Sequence, residues 1–513
     1  MSWMGGVIRN VRLGTGNSSF LLSRPSPTCY SFLSLASPSL IVTMNPVDLA
    51  FLPAVEQAQL IRNKEVSPLE LTEIYLERIQ RLNPQLGAYI TVMADQALAD
   101  ARAKTEHLAE SSEDLPPLFG VTVSVKDLNP VEGVPCAYGI KAACDRIADH
   151  DDLIVQKLRR AGLIILGKTA TSQLGSLPYT EPPGFPPARN PWNLDYTPGG
   201  SSGGGAAALA AGLCSISQGS DGGGSLRGPA FCCGLVGLKA ARGRISFSPV
   251  GERLNGLAIN GPMGRTVADT ALLLDILSGY EVGDPYWLPD PAQPFVETVQ
   301  QSPKPLRIGY ATRVEPIGEA DPTCRQAVYE TVQRLEELGH HADEIEFPDL
   351  TDLIEPFTVV WECVIAEVGI PWIVLEKMNR WLYWRAWRIN SGAYLRAVSK
   401  LQQVARQIVE FCYPYDVLVL PVYMHPAIRV GEWKKLRSPQ TLKNVINWVA
   451  PCPPFNASGQ PAMAIPTGFT PHGLPIGVQL VGRPADEATL FSLAAQLEAA
   501  NPLYQRHPKM ALG

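Results

Sequence analysis

Two serines 24 residues apart, each in a glycine-rich stretch, follow a lysine that lies 75 residues ahead of the first. Lys126 ends the run Gly-Val-Thr-Val-Ser-Val-Lys-Asp (120–127), Ser201 sits in Pro-Gly-Gly-Ser-Ser-Gly-Gly-Gly (198–205), and Ser225 sits in Gly-Ser-Asp-Gly-Gly-Gly-Ser-Leu-Arg (219–227). A serine nucleophile needs a base to take its proton and donors to hold the negative charge that develops on its target. One serine can attack, the lysine and the other serine can move the proton, and bare glycine amides can hold an oxyanion. These residue types point to a serine hydrolase that works without histidine.

Positioning such groups takes rigid elements. Residues 120–126 alternate Val121, Val123 and Val125 with Thr122, Ser124 and Lys126, a strand that carries the lysine at its end. Ser67-Pro68-Leu69-Glu70 reads as a capping box with proline at the first helical position. Leu71, Ile74, Tyr75, Ile79 and Leu82 follow at helical spacing, and Asn83-Pro84 reads as the stop. Further helices are expected near 94–108, 152–161, 204–212, 266–279, 323–338 and 486–499. Strands are expected at Leu163–Leu166, Cys214–Gln218, Leu306–Tyr310, Val417–Leu420, 460–466 and 475–481, with a proline-rich loop over 178–200. Helices alternating with buried strands imply an α/β fold, one large domain whose central mixed sheet is covered by helices on both faces.

Two other patterns compete for the chemistry. Gly162 to Thr169 satisfies the phosphate-loop expression, but its four intervening residues are Leu-Ile-Ile-Leu, a strand interior rather than a loop of inward-pointing amides. Gly199 to Gly203 satisfies the nucleophile-elbow expression, yet the proline-bearing segment ahead of it cannot be the strand an elbow requires. A glycine-serine stretch is ordinarily a flexible linker. Here both stretches abut apolar segments, which places them inside the fold.

The set resembles the amidase signature family. The likeness rests on Asn190-Pro-Trp-Asn-Leu-Asp-Tyr-Thr-Pro-Gly-Gly-Ser-Ser-Gly-Gly, then residues 219–227, then Gly234-Leu-Val-Gly-Leu-Lys239. Residues 120–127, Gly167-Lys-Thr and Phe455-Asn-Ala-Ser-Gly-Gln-Pro-Ala agree as well, so the likeness spans roughly 46–505. The resemblance implies an amidase signature fold and a Ser–cis-Ser–Lys triad. In it Lys126 is the base, Ser201 the bridging serine after a cis peptide, and Ser225 the nucleophile that forms an acyl-enzyme. It further implies an oxyanion hole from the amides of Gly222, Gly223, Gly224 and Ser225, with Ser202, Asp221 and Arg227 in support. The family commonly has threonine or isoleucine where this chain has Gly222, and proline where it has Ala240. Within the family, the alternative is the glutaminase-type amidase subunit of a tRNA-dependent amidotransferase. Outside it, the alternative is a non-catalytic binding protein on the same fold.

Bulk properties agree with an enzyme acting on a small-molecule amide. The 513 residues are 46% apolar and 18% charged, with a formal net charge of −6 and no basic tract of the kind a nucleic-acid surface needs. The ten cysteines are scattered, which gives neither a disulfide frame nor metal-ligand spacing, so no metal or other cofactor is expected. Reduced thiols suit a cytoplasmic protein. No apolar run is long enough to span a bilayer, so integral membrane association is not expected; a homodimer is compatible with the sequence. Residues 1–43 hold arginines and serines but no acid. They read as a leader, either an organelle transit peptide or an upstream start ahead of Met44, expected to be disordered, with the amidase domain over 44–513. Trp372, Trp381, Tyr383, Trp384 and Trp387 crowd one stretch. They suit a substrate pocket or a membrane surface, and the usual burial of aromatic rings favours the core. Thr171–Thr180 and Cys452–Ser458 are expected to border the acyl site.

Overall fold

The computed structural model describes residues 44–110 and 115–513. The expectation for the leader over 1–43 therefore lies outside the described residues. Residues Asn45–Gly513 form one compact unit.

Thirteen strands follow in chain order: β1 Tyr89–Val92, β2 Thr122–Lys126, β3 Ile164–Thr169, β4 Ile216–Asp221, β5 Val236–Lys239, β6 Ile259–Gly264, β7 Arg307–Tyr310, β8 Arg313–Val314, β9 Gly318–Glu319, β10 His341–Glu344, β11 Val417–Pro421, β12 Ala462–Phe469 and β13 Pro475–Gly482. Eleven of them make one sheet in the order β1-β3-β2-β4-β6-β5-β12-β13-β11-β7-β10, and β8 with β9 forms a separate ribbon. The sheet is mixed. β3, β2 and β4 run parallel, as do β11, β7 and β10, while β4, β6, β5, β12, β13 and β11 alternate antiparallel between them. Every residue of β2, β3, β5, β6, β11 and β13 is buried, as strands covered on both faces must be.

The covering helices are α1 Pro46–Phe51, α2 Ala54–Arg62, α3 Pro68–Leu86, α4 Ala94–Glu110, α5 Leu153–Arg160, α6 Gly203–Ala210, α7 Arg227–Cys233, α8 Val267–Leu277, α9 Phe295–Thr298, α10 Pro322–Glu337, α11 Thr351–Glu367, α12 Lys377–Ala386, α13 Ser391–Cys412, α14 Ser438–Val449, α15 Pro453–Ser458 and α16 Glu487–Ala500. The capping box at Ser67 forms: its hydroxyl accepts from the Glu70 amide at 3.1 Å, and Glu70 accepts from the Ser67 amide at 2.8 Å. α3 does not stop at Asn83-Pro84. A proline that close to a helix end removes one hydrogen bond only, and the helix runs on to Leu86, where Gly87 closes it in the left-handed conformation (φ 57°). The Gly162–Thr169 pattern lies along the loop into β3 and β3 itself, as its apolar interior requires. Among the described residues no helix is long and apolar enough to cross a membrane.

The crowded aromatic stretch divides: Trp381 and Tyr383 are half-buried against a core cluster that includes Met378 and Leu382, whereas Trp372, Trp384 and Trp387 are exposed, and none of the five lines the cleft beside Ser225. α12 turns Met378, Leu382 and Ala386, spaced four apart, into the protein. That face leaves Trp384 49% and Trp387 69% exposed, and Trp372 just ahead of the helix is 43% exposed. The exposed rings pack on their neighbours, with Trp372 and Trp384 centroids 5.7 Å apart and those of Tyr383 and Trp387 6.1 Å apart.

Candidate active site

β2 and β4 lie side by side in parallel, with Val125 opposite Gln218. Lys126 at the end of β2 therefore meets the residues that follow β4. Val123 and Val125 ahead of it in β2 are fully buried, and so is Lys126. Its Nζ donates to Ser201 Oγ at 2.7 Å and to Ser202 Oγ at 2.8 Å, and reaches Ser220 Oγ at 3.0 Å and Ser220 O at 3.3 Å. Among the described residues no carboxylate contacts it; each near partner is an uncharged oxygen. Burial pushes its pKa down from 10.5 to about 7, only partly opposed by the charge of Asp221.

Lys239 is also buried, and burial lowers its pKa to about 7, with the charge of Arg227 adding to the effect. Its Nζ donates to Ala240 O and faces no serine among the described residues. A depressed lysine is thus not distinctive by itself; the hydroxyls around Lys126 are. Lys168, another buried lysine, pairs with Asp127 at 3.1 Å, both side chains fully buried.

Ser201 enters through a cis Gly200–Ser201 peptide, and Ser202 immediately precedes α6. Ser225 lies in the loop between β4 and α7 and keeps 8% of its surface exposed, against 2% for Ser201. Of Lys126, Ser201 and Ser225, Ser225 alone lines the apolar cleft that opens beside this loop. The structure joins Lys126 to Ser201; among the described residues no hydrogen bond joins Ser201 to Ser225.

The loop carrying Ser225 is held from below. Asp221 Oδ1 accepts from the Gly224 amide at 2.7 Å and Oδ2 from the Leu226 amide at 3.1 Å. Arg227 clamps the same carboxylate, Nε to Oδ2 at 3.0 Å and Nη2 to Oδ1 at 2.9 Å. It also donates to Gln479 Oε1 and Asn456 Oδ1, each at 2.6 Å, and to Cys452 O at 3.0 Å. Burial alone would raise the Asp221 carboxyl, but the Arg227 charge and these hydrogen bonds hold it well below the usual carboxylate range. The Gly224 amide is spent on Asp221, with Gly224 at φ 124°. The amides of Gly222, Gly223 and Ser225 have no protein acceptor among the described residues. They remain able to donate to a bound group.

Sequence reasoning misses several of these groups. Ser220 stands in the same motif as Ser225 and at the end of the strand next to Lys126, so its hydroxyl is within reach of inference. Asn456 lies in the Phe455–Ala462 motif. Gln479, Tyr423, Phe357 and Trp361 carry no local signal. Of the segments expected at the acyl site, Ser176, Leu177 and Pro178 line the cleft, as does Pro453.

This arrangement has relatives. A family model described as Amidase matches residues 70–491. A Synechocystis sp. protein named "Putative amidase" is 48% identical over 474 residues, covering 92% of this chain and 93% of that one. The 6-aminohexanoate-cyclic-dimer hydrolase of Paenarthrobacter ureafaciens is 34% identical over 498 residues, covering 91% of this chain and 98% of the relative. A solved structure of 6-aminohexanoate cyclic dimer hydrolase matches with a TM-score of 0.84 at 33% identity, over 90% of this chain and 99% of that chain.

Proposed function

The chain belongs to the amidase family, hydrolases of carbon–nitrogen amide bonds, and from that premise we propose that it cleaves amides through an acyl-enzyme on Ser225, with Ser201 and Lys126 as the proton relay. The observation that carries this reading is the buried Lys126, free of carboxylate contacts among the described residues and bonded at 2.7 Å to Ser201.

With a pKa of about 7, Lys126 is neutral often enough near neutral pH to accept a proton. As substrate docks, the Ser225 proton passes to Ser201 Oγ while the Ser201 proton passes to Lys126 Nζ. Ser225 Oγ forms its bond to the amide carbon, and the carbonyl π pair moves onto oxygen. The amides of Gly222, Gly223 and Ser225 receive that oxyanion, where one donor typically contributes about 3–4 kcal/mol. The lone pair returns to re-form the carbonyl, the C–N bond breaks, and the departing nitrogen takes the proton back through Ser201. Water then cleaves the acyl-Ser225 ester by the same relay. Ser202 and Ser220 satisfy the remaining protons of Lys126, so proton transfer does not strand a buried donor. The free buried thiols fit work in the reducing cytoplasm.

Ser225→Ala is the direct test. The variant is expected to keep the wild-type melting temperature and to lose turnover of a simple amide by at least about 10⁴-fold. Residual activity within tenfold of wild type would discard the assignment.

A further inference from the structure

Beside Ser225 opens an apolar cleft. Its far wall is built by α11, α12 and α14, with Phe357, Trp361, Met378, Leu382 and Val445 facing the space. Glu315 is the one charged residue among those lining it, and it is engaged with Arg313. The lining includes Ser225 and Gly223 but neither Ser201 nor Lys126. In the proposed relay Ser201 must reach the departing nitrogen, so the cleft lies on the acyl side of the scissile bond.

The wall touches the oxyanion loop. A Cβ at Gly222 would fall 2.6 Å from Leu254 Cδ1 and 3.4 Å from the Trp361 ring, and one at Gly223 would fall 3.5 Å from the Phe357 ring. Phe357 and Trp361 stack, centroids 5.8 Å apart and planes 19° from parallel. A branched side chain at 222 would overlap Leu254 and press the indole outward. Glycine there lets an aromatic surface close directly over the loop that carries Ser225.

We infer that the site selects amides whose acyl group is uncharged and apolar, an alkanoyl or aroyl group laid against Trp361, and that Gly222 is the residue that admits this wall. The inference rests on the acyl-enzyme proposed above. A charged acyl group would lose its water and find, among the described lining residues, only the Glu315 carboxylate, which is already paired with Arg313. Each methylene of an apolar acyl group gains by leaving water.

The test uses the full chain and the p-nitroanilides of acetic, butanoic, hexanoic and benzoic acids, with γ-glutamyl p-nitroanilide as the charged acyl group on the same leaving group. The value of kcat/KM is expected to rise about fourfold per methylene from acetyl to hexanoyl. The γ-glutamyl compound is expected at least about 100-fold below hexanoyl, given the desolvation of its charges. Trp361→Ala, and Gly222→Thr by displacing the indole, should each lower the hexanoyl-to-acetyl ratio about tenfold or more. If either variant does not fold, the wild-type series decides alone. A flat series, or γ-glutamyl within tenfold of hexanoyl, overturns the inference. If a fluorophosphonate still labels Ser225 in that case, the proposed function survives; if no label forms on Ser225, that reading fails and takes this one with it.

Discussion

The pH dependence of turnover follows from one buried group. An ordinary lysine with a pKa of 10.5 is neutral in about one molecule in 3,000 at pH 7, whereas Lys126, at about 7, is neutral in about half. The active fraction is therefore larger by about 10³-fold, equivalent to about 4 kcal/mol of barrier were an exposed lysine to serve instead. In the proposed relay the neutral amine is the competent form, so kcat/KM is expected to rise with pH, inflect near 7 and level off above about 8. Initial rates on a non-ionising amide between pH 5 and 10, with unfolding monitored in parallel, give the profile. Since kcat/KM reports the free enzyme, the inflection belongs to the empty site. A profile flat from pH 5 to 8, or an inflection above 9, would mean that Lys126 is not the base or that its burial does not depress it.

Other perturbations read the supporting structure. Arg227→Met removes one half of a fully buried pair and leaves Asp221 charged without its partner, which typically costs about 3–5 kcal/mol. Urea denaturation should show that loss, and a shift below about 1 kcal/mol would mean water enters the site. Lys239→Met tests the other depressed lysine. Its folded pKa lies below its unfolded value, so the chain binds fewer protons folded than unfolded between about 7 and 10.5. The cost of burying Lys239 is full below about 7 and fades as pH rises. The substitution should therefore raise the melting temperature more at pH 6 than at pH 9, and equal gains would contradict the sign. Lys126→Ala should recover part of its lost activity at high pH, where hydroxide replaces the missing base; no recovery would assign the lysine a structural part as well.

Legibility in the sequence follows locality. Lys126 and Ser201 can be joined from their motifs because these have fixed residue types at fixed spacing, and β2 shows its period plainly in three valines. The Gly162–Thr169 run can be separated from a phosphate loop because four branched apolar residues cannot offer inward amides. Local rules mislead at Pro84, where a stop signal near a helix end removes too little to end it. They mislead in part over α12, where Trp381 and Tyr383 do pack on the core but Met378, Leu382 and Ala386 fill the buried face and leave Trp384 and Trp387 exposed. The far wall is out of reach. α11 holds Pro356 inside an apolar helix, which blurs the 3.6-residue pattern, and nothing local ties Trp361 to Gly222 across 139 positions. The inward commitment of the Gly224 amide likewise depends on where Asp221 points.

The proposed mechanism depends most on which oxygen becomes acylated. Reacting the full chain with a fluorophosphonate and mapping the modified peptide by mass spectrometry answers that in one step. A single adduct on Ser225 is expected, forming faster as pH is raised through 7. An adduct on Ser201 instead, or none on either serine in a folded and active enzyme, would contradict it.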